Sequence, residues 1–296
     1  MGEWDLNVQR MLDFIELHLE SVTLDQLAKR LGYSTWYCTR QFHRVLGLSL
    51  RSYLGQRRLS SAAIALRDTD ARILELAQHW NFGSQEAFNR AFKRAYGLTP
   101  GAYRREPVPI RLAPVRRALM PFPTEKTMTS HARERISISI QSLPAHRFLG
   151  LRNIEAADYF DFWEKQKRIP GLDCHTVVGL LESIPSRNGQ IGGWFHRDGR
   201  QGYFYGIEVP EDYAGPVPEG MECTQIPASD YVVFHHPAYD FELEERQVYK
   251  AICAAMADWD PAMHGYAFDD TLPTYQRHAP DAWGQAFCRP IRKLNQ

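Results

Sequence analysis

In the N-terminal part of the chain the apolar positions recur at helical rather than alternating intervals. Leu6, Met11, Leu12, Phe14, Ile15 and Leu19 mark one amphipathic helix. Thr23-Leu24-Asp25-Gln26 has the pattern of a capping box and predicts a short helix to Leu31, ended by Gly32 in the left-handed conformation. Ser34 then caps a second helix whose inward stripe is Tyr37, Cys38, Phe42 and Val45. Ala28 is small enough to let the two helices cross closely, so the pair reads as a helix-turn-helix unit. The unit occurs twice. Leu27-Ala28, Tyr33, Ser34, Arg40, Phe42, Gly47-Leu48 and Tyr53 return as Leu76-Ala77, Phe82, Ser84, Arg90, Phe92, Gly97-Leu98 and Tyr103. The offset is 49 residues up to Tyr33/Phe82 and 50 from Ser34/Ser84 onward, so the second turn carries one inserted residue. An Arg- and Ala-rich helical stretch, about Leu50 to Leu66, joins the copies.

Further on the pattern breaks. Pro107, Pro109, Pro114, Pro121 and Pro123 stand among Arg104, Arg105, Arg111, Arg116 and Arg117, a density that precludes regular helix and favours an extended, stiff connector. Past Arg135 the period falls to two: Ile136, Ile138 and Ile140 alternate with Ser137 and Ser139, a half-buried strand. A helix follows around Asp158–Ile169, then apolar runs near Thr176–Leu181 and Tyr203–Val209. Pro144-Ala145 and Phe148 return 83 residues later as Pro227-Ala228 and Tyr231, opening a second round with a long helix over Phe241–Trp259 and strands near Thr274–Arg277 and Ala286–Ile291. The chain therefore reads as multi-domain. An all-α double helix-turn-helix domain covers 1–106 and a Pro/Arg-rich linker 107–133. An α+β domain of two pseudo-symmetric strand-helix-strand-strand halves covers 134–296.

Charge sharpens this division. The 296 residues carry 35 Lys/Arg and 35 Asp/Glu, a net charge of zero, which taken whole argues against a nucleic-acid binder. Residues 1–117, however, hold 18 basic and 11 acidic groups, and residues 118–296 hold 17 and 24, so the halves stand at +7 and −7. Five scattered cysteines, 38, 174, 223, 253 and 288, form no metal-ligand spacing and predict reduced thiols, no metal and no cofactor. The acidic start Met1-Gly2-Glu3-Trp4-Asp5 has no signal-peptide pattern, and no apolar run is long enough to span a bilayer; a cytoplasmic protein without membrane partners is expected.

The paired units resemble the DNA-binding domain of the AraC/XylS family of transcription regulators, in its Rob-like type. Ala77 through Tyr103, with Phe82, Ser84, Phe88, Phe92, Lys93, Gly97 and Pro100, matches the family signature. The resemblance implies double-stranded DNA as partner, read by two helices set about 34 Å apart in successive major grooves. It places Trp36, Thr39 and Arg40 in the first groove with Arg44 and His43 nearer the backbone. In the second groove it places Gln85, Glu86, Asn89 and Arg90, with Lys93 and Arg94 on phosphates. The chemistry agrees: Arg reads guanine, Asn and Gln read adenine, and Trp meets a thymine methyl.

Residues 134–296, with Leu143-Pro144-Ala145, Tyr205-Gly206-Ile207-Glu208-Val209 and Arg289-Pro290-Ile291, resemble the GyrI-like effector-binding domain. That resemblance implies a small aromatic, lipophilic or cationic effector in a cleft between the halves, and a regulator, expected to be an activator, that works through domain reorientation or contacts with RNA polymerase. Residues 118–296 hold 23 of the 36 aromatics, and Phe160, Trp163, Trp194, Tyr203, Tyr205, Tyr275 and Trp283 are the candidate walls, with Glu208 as the acid. Glu208 sits inside an apolar strand, so it is either paired internally or kept for a ligand. Members of the family often carry a glutamate shortly before the last-strand proline; here that slot holds Ala286, leaving Glu182, Glu208, Asp161 and Glu164 as unranked substitutes. An enzyme is not expected. The alternative is a GyrI-like hydrolase, using Tyr203 or Tyr205 with Glu208, or a ligand-sequestering domain, fused to the DNA reader.

Overall fold

A computed structural model describes residues 3–118, 135–197, 199–279 and 282–294. The connector prolines Pro121 and Pro123 lie outside the described residues. The chain forms two compact units, one of residues 1–120 with 175–183, the other of 121–174 with 184–296.

In the first unit seven helices are described before residue 106: α1 (Glu3–Leu17), α2 (Leu24–Leu31), α3 (Thr35–Leu46), α4 (Leu50–Asp68), α5 (Ile73–His79), α6 (Gln85–Tyr96) and α7 (Pro100–Arg105). Thr23 and Gln26 complete the capping box of α2. Two cores form along α4. Its N-terminal half gives Leu50, Tyr53 and Leu54 to a cluster with Met11, Ile15, Leu27, Ala28, Cys38 and Phe42. Its C-terminal half gives Leu59, Ala62, Ala63 and Leu66 to a cluster with Leu76, Ala77, Phe88, Phe92 and Tyr103. One continuous helix thus belongs to both reading units.

Residues 107–118, expected as a connector, are extended but not free of the helices: Ile110 and Leu112 are buried in the second core. The prolines keep this stretch out of helix, and its two apolar residues fasten it to the surface. A further helix, α8 (Tyr159–Gln166), belongs to the second unit, whereas α9 (Cys174–Glu182) lies almost wholly in the first. The β-branched run inside α9 had the look of a strand. It is helical because Val177 and Leu181, one turn apart, are both buried and Gly179 presses on the extended stretch.

The second unit is one antiparallel sheet. Its strands are β1 (Ser137–Leu143), β2 (His146–Asn153), β3 (Gln190–Arg197), β4 (Arg200–Pro210), β5 (Glu222–Ile226), β6 (Ser229–His236), β7 (Tyr266–Phe268), β8 (Thr274–Ala279) and β9 (Gly284–Lys293). The order is β1-β6-β9-β8-β3-β4-β2-β5, with β7 also on β9. Each half is opened by a strand that pairs with the other half, β1 with β6 and β5 with β2, and each such strand runs into the matching turn, Pro144-Ala145 or Pro227-Ala228. The pseudo-symmetric plan holds, with this exchanged strand added to each copy. Because β1 is an edge strand, Ile138 and Ile140 remain 46% and 41% exposed rather than half-buried in a core. The long helix α10 (Phe241–Asp258) covers β6 and β9 through Val248 and Ile252, and α8 lies against β4.

Candidate nucleic-acid interface

α3 and α6 each bury one face in the first unit and leave another exposed. Each begins on a serine whose hydroxyl accepts from the backbone three residues on, Ser34 from Tyr37 and Ser84 from Ala87. Each ends on a left-handed glycine, Gly47 and Gly97. The turns before them are alike: Tyr33 N–H donates to Ala28 C=O and Phe82 N–H to Ala77 C=O. The left-handed step is made by Gly32 in the first turn and by Asn81, at φ 61°, in the second. The inserted residue is then Gly83, placed after the shared geometry and before the cap.

Phe42 and Phe92 are fully buried at matching places on the two helices, and so are Cys38 and Phe88. This anchoring turns the other faces out. Trp36 is 67% exposed, and Arg40, His43 and Arg44 are exposed beside it. The Arg40 guanidinium lies over the Trp36 ring at 5.3 Å, a cation–π pair one helical turn long. The Thr39 hydroxyl donates back to Thr35 C=O at 2.8 Å, so it presents its methyl and lone pairs rather than its proton. On α6, Glu86, Arg90, Lys93 and Arg94 are exposed while Gln85 and Asn89 are half-buried. The Glu86 carboxyl is held below the ordinary range by its own backbone N–H, by Ser84 and by Arg90 one turn on. Among the described residues, Arg40, Arg44, Lys93 and Arg94 make no ion pair. All ten candidate residues therefore lie on α3 and α6, and eight of them form four pairs at equivalent steps of the repeat: Trp36/Glu86, Thr39/Asn89, Arg40/Arg90 and Arg44/Arg94.

In the second unit the aromatic candidates divide between two faces of the sheet. Residues paired across antiparallel strands share a face. Tyr203 pairs with Trp194, and Tyr205 with Gly192, which pairs on its other side with Gln276. This is the helix-covered face: Phe162 of α8 meets the Tyr203 ring at 5.7 Å, and Trp163 meets Tyr205 at 5.0 Å. Trp163 and Trp194 are half-buried, and Phe160 is 49% exposed at the start of α8. Burial drives the phenols of Tyr159 and Tyr203 far above the ordinary range and brings that of Tyr249 to about 12.

Glu208 and Tyr275 face the other way. Glu208 is 2% exposed and takes the Arg277 guanidinium at 2.9 and 3.1 Å, with Asn188 as a further donor. Tyr275 lies in an aromatic core with Phe148, Phe204 and Tyr231, and Trp283 packs at its margin. Ala286 pairs in register with Arg277, so the charge facing the slot of the usual last-strand glutamate is met by Glu208 instead. An acid from the covering helix α10, Glu245, lies on the helix-covered face. It accepts from Tyr239 and lies 3.2 Å from His278 Nε2. Nearby, Gln285 donates to Gln276 Oε1 and Gln276 donates in turn to the Tyr203 hydroxyl. Among the described residues no three His, Cys, Asp or Glu side chains form a metal-holding group, and no helix is long and apolar enough to cross a membrane.

Comparison with known proteins settles the first unit. A family model described as a helix-turn-helix domain matches residues 27–106. The chain is 43% identical over 99 residues to the Transposon Tn10 TetD protein of Escherichia coli, covering 33% of this chain and 72% of that one. It is 38% identical over 98 residues to the regulatory protein SoxS of Salmonella typhimurium, covering 33% of this chain and 92% of that one. The chain belongs to the AraC family of transcription regulators. Over a longer stretch this AraC-family chain is similar to the right origin-binding protein of Escherichia coli K12, 29% identical over 248 residues and 80% of each chain. It is a DNA-binding regulator of the Rob-like type.

In this AraC-family regulator the second unit separates the acid and the rings that the sequence had grouped. Glu208 cannot join Tyr203 or Tyr205 in one site, because an odd number of strand steps separates it from either ring. That spacing was already legible. Glu245 was passed over, although it shares an inner helical stripe with Val248 and Ile252, both fully buried. Glu182 is in α9 of the first unit, where burial raises its carboxyl; Asp161 is paired with Lys165 on α8, and Glu164 with Lys167 just past its end.

Proposed function

We propose that this regulator takes a planar or cationic small molecule on the helix-covered face of its second unit, and that the ligand changes how the first unit reads DNA. The observation that carries the reading is that Tyr203, Tyr205, Trp163 and Trp194 share a single sheet face with an acid, Glu245. Aromatic walls supply stacking, and the acid supplies the counter-charge for a cation. The ligand must favour one arrangement of the protein over another, or it shifts nothing. Activation through RNA polymerase is part of the same proposal, and in vitro transcription with and without the ligand reads it out. The hydrolase alternative loses support, since its carboxylate, Glu208, is bound by Arg277 on the opposite face.

The test is a thermal-shift screen of the full chain against planar aromatic cations and neutral lipophiles, followed by titration. Cationic hits should bind about tenfold more weakly to Glu245→Gln, the loss of one charge-assisted contact, while neutral hits bind alike. A folded protein with no titratable hit, or hits indifferent to both Glu245→Gln and Tyr205→Ala, would overturn the site.

A further inference from the structure

The first unit is discontinuous in sequence, and its second piece, residues 175–183, rests on the extended stretch 107–118. Leu112 N–H donates to Gly179 C=O at 3.2 Å, Ile110 N–H donates to the Ser183 hydroxyl at 3.0 Å, and Arg67 donates to Glu182 C=O at 3.0 Å. The fit tolerates no side chain. A Cβ at Gly179 would lie 1.9 Å from Leu112 O, a backbone atom.

The extended stretch in turn reaches the last residue of each reading helix. Ala113 N–H donates to Ser60 Oγ at 2.8 Å, and Ser60 Oγ lies 3.3 Å from the hydroxyl of Tyr96, which ends α6. Arg116 donates through its side chain to the carbonyl of Leu46, which ends α3, at 3.5 Å, and through its backbone to Tyr53 at 3.3 Å. Between these points Arg57, near the middle of α4, holds Glu16 of α1 with one edge of its guanidinium and Ala113 C=O with the other. Removing 175–183 would take from the amide of Ile110 its Ser183 partner, whereas the amide of Leu112 keeps Ile110 C=O at 3.0 Å.

We infer that residues 175–183 are a positioning element for DNA reading. Docked on 107–118, they fix the relative placement of α3 and α6, and so the spacing of the two grooves the protein can read together. Gly179, Ser183, Arg116 and Ser60 act through other residues and need not touch DNA. The inference requires DNA binding by the first unit and no small molecule. Because linkage is reciprocal, DNA that demands the docked placement must also strengthen docking.

The probe is a duplex selected from a random pool by the wild-type full chain, together with the same duplex carrying one base pair more or less between its two contacted halves. Gly179→Leu expels the segment. It should bind the selected duplex about tenfold more weakly and lose most of the wild-type preference among the three spacings. In the wild type, the selected duplex should slow amide hydrogen exchange across 108–113 and 175–183. A Gly179→Leu chain that keeps both affinity and spacing preference while its 175–183 amides exchange freely would overturn the inference, as would wild-type exchange unmoved by DNA. If that variant does not fold, Ser183→Ala removes the partner of Ile110 N–H, together with the hydroxyl's own donation to Leu180 C=O, and carries the same readouts, with an expected loss of about threefold; unchanged spacing preference and unchanged exchange there count against the inference.

Discussion

Arg40 and Arg90 stand at the same step of two helices anchored at matching buried positions, Cys38 with Phe42 and Phe88 with Phe92, yet their neighbours differ. Arg40 lies over the Trp36 ring, which holds the guanidinium without neutralising it, whereas Arg90 faces Glu86 one turn away. Replacing either arginine with Ala should cost about 1–3 kcal/mol of discrimination at its base pair. Binding to duplexes with that pair varied measures it, and unchanged selectivity in both variants would remove the two residues from the interface. In the second unit the decisive pair is Arg277 with Glu208. Arg277→Met leaves a carboxylate 2% exposed without its cation, at a cost of about 3–5 kcal/mol, while Arg277→Met with Glu208→Leu should recover most of it. Denaturant unfolding of the three proteins tests this, and additive losses would show the pair to be two independent residues.

At the scale of elements, repetition made the helical half legible. The caps Ser34 and Ser84, the glycines after each helix and the buried Phe42 and Phe92 recur at one spacing, so each copy checks the other. The insertion was also visible, but its use was not: Asn81 takes the left-handed step and Gly83 supplies the extra link. The sheet was harder to read. Gly192-Gly193 lies inside β3, where register sets Gly192 between Tyr205 and Gln276 and Gly193 between Phe204 and Tyr275; a side chain at Gly192 would meet the Tyr203 hydroxyl, and one at Gly193 the backbone of Thr274 and Tyr275. The exchange of β1 and β5 between halves is a long-range pairing, and local periodicity carries no information about a strand's partner. The helical state of α9 is of the same kind. Its β-branched run is overridden by burial on the first unit, far away in sequence.

For the whole molecule, the zero net charge is a sum of +7 over residues 1–117 and −7 over 118–296. The acidic part should repel phosphate. The full chain is therefore expected to bind random-sequence duplex more weakly than residues 1–120 alone at low salt, the two curves converging as screening shortens to a few ångströms near 1 M. Superimposable curves at low salt would show the acidic half to be electrostatically silent. The discontinuity of the first unit has a temporal side as well. A chain leaving the ribosome at about 5–20 residues per second releases residue 183 roughly 3–13 s after residue 120. For that interval the seven helices can assemble, but the segment that closes over Ile110 and Leu112 has not yet been made. Completion of the DNA reader thus waits on synthesis of the first part of the acidic half, and a transcript broken before codon 175 yields the reading helices without their brace.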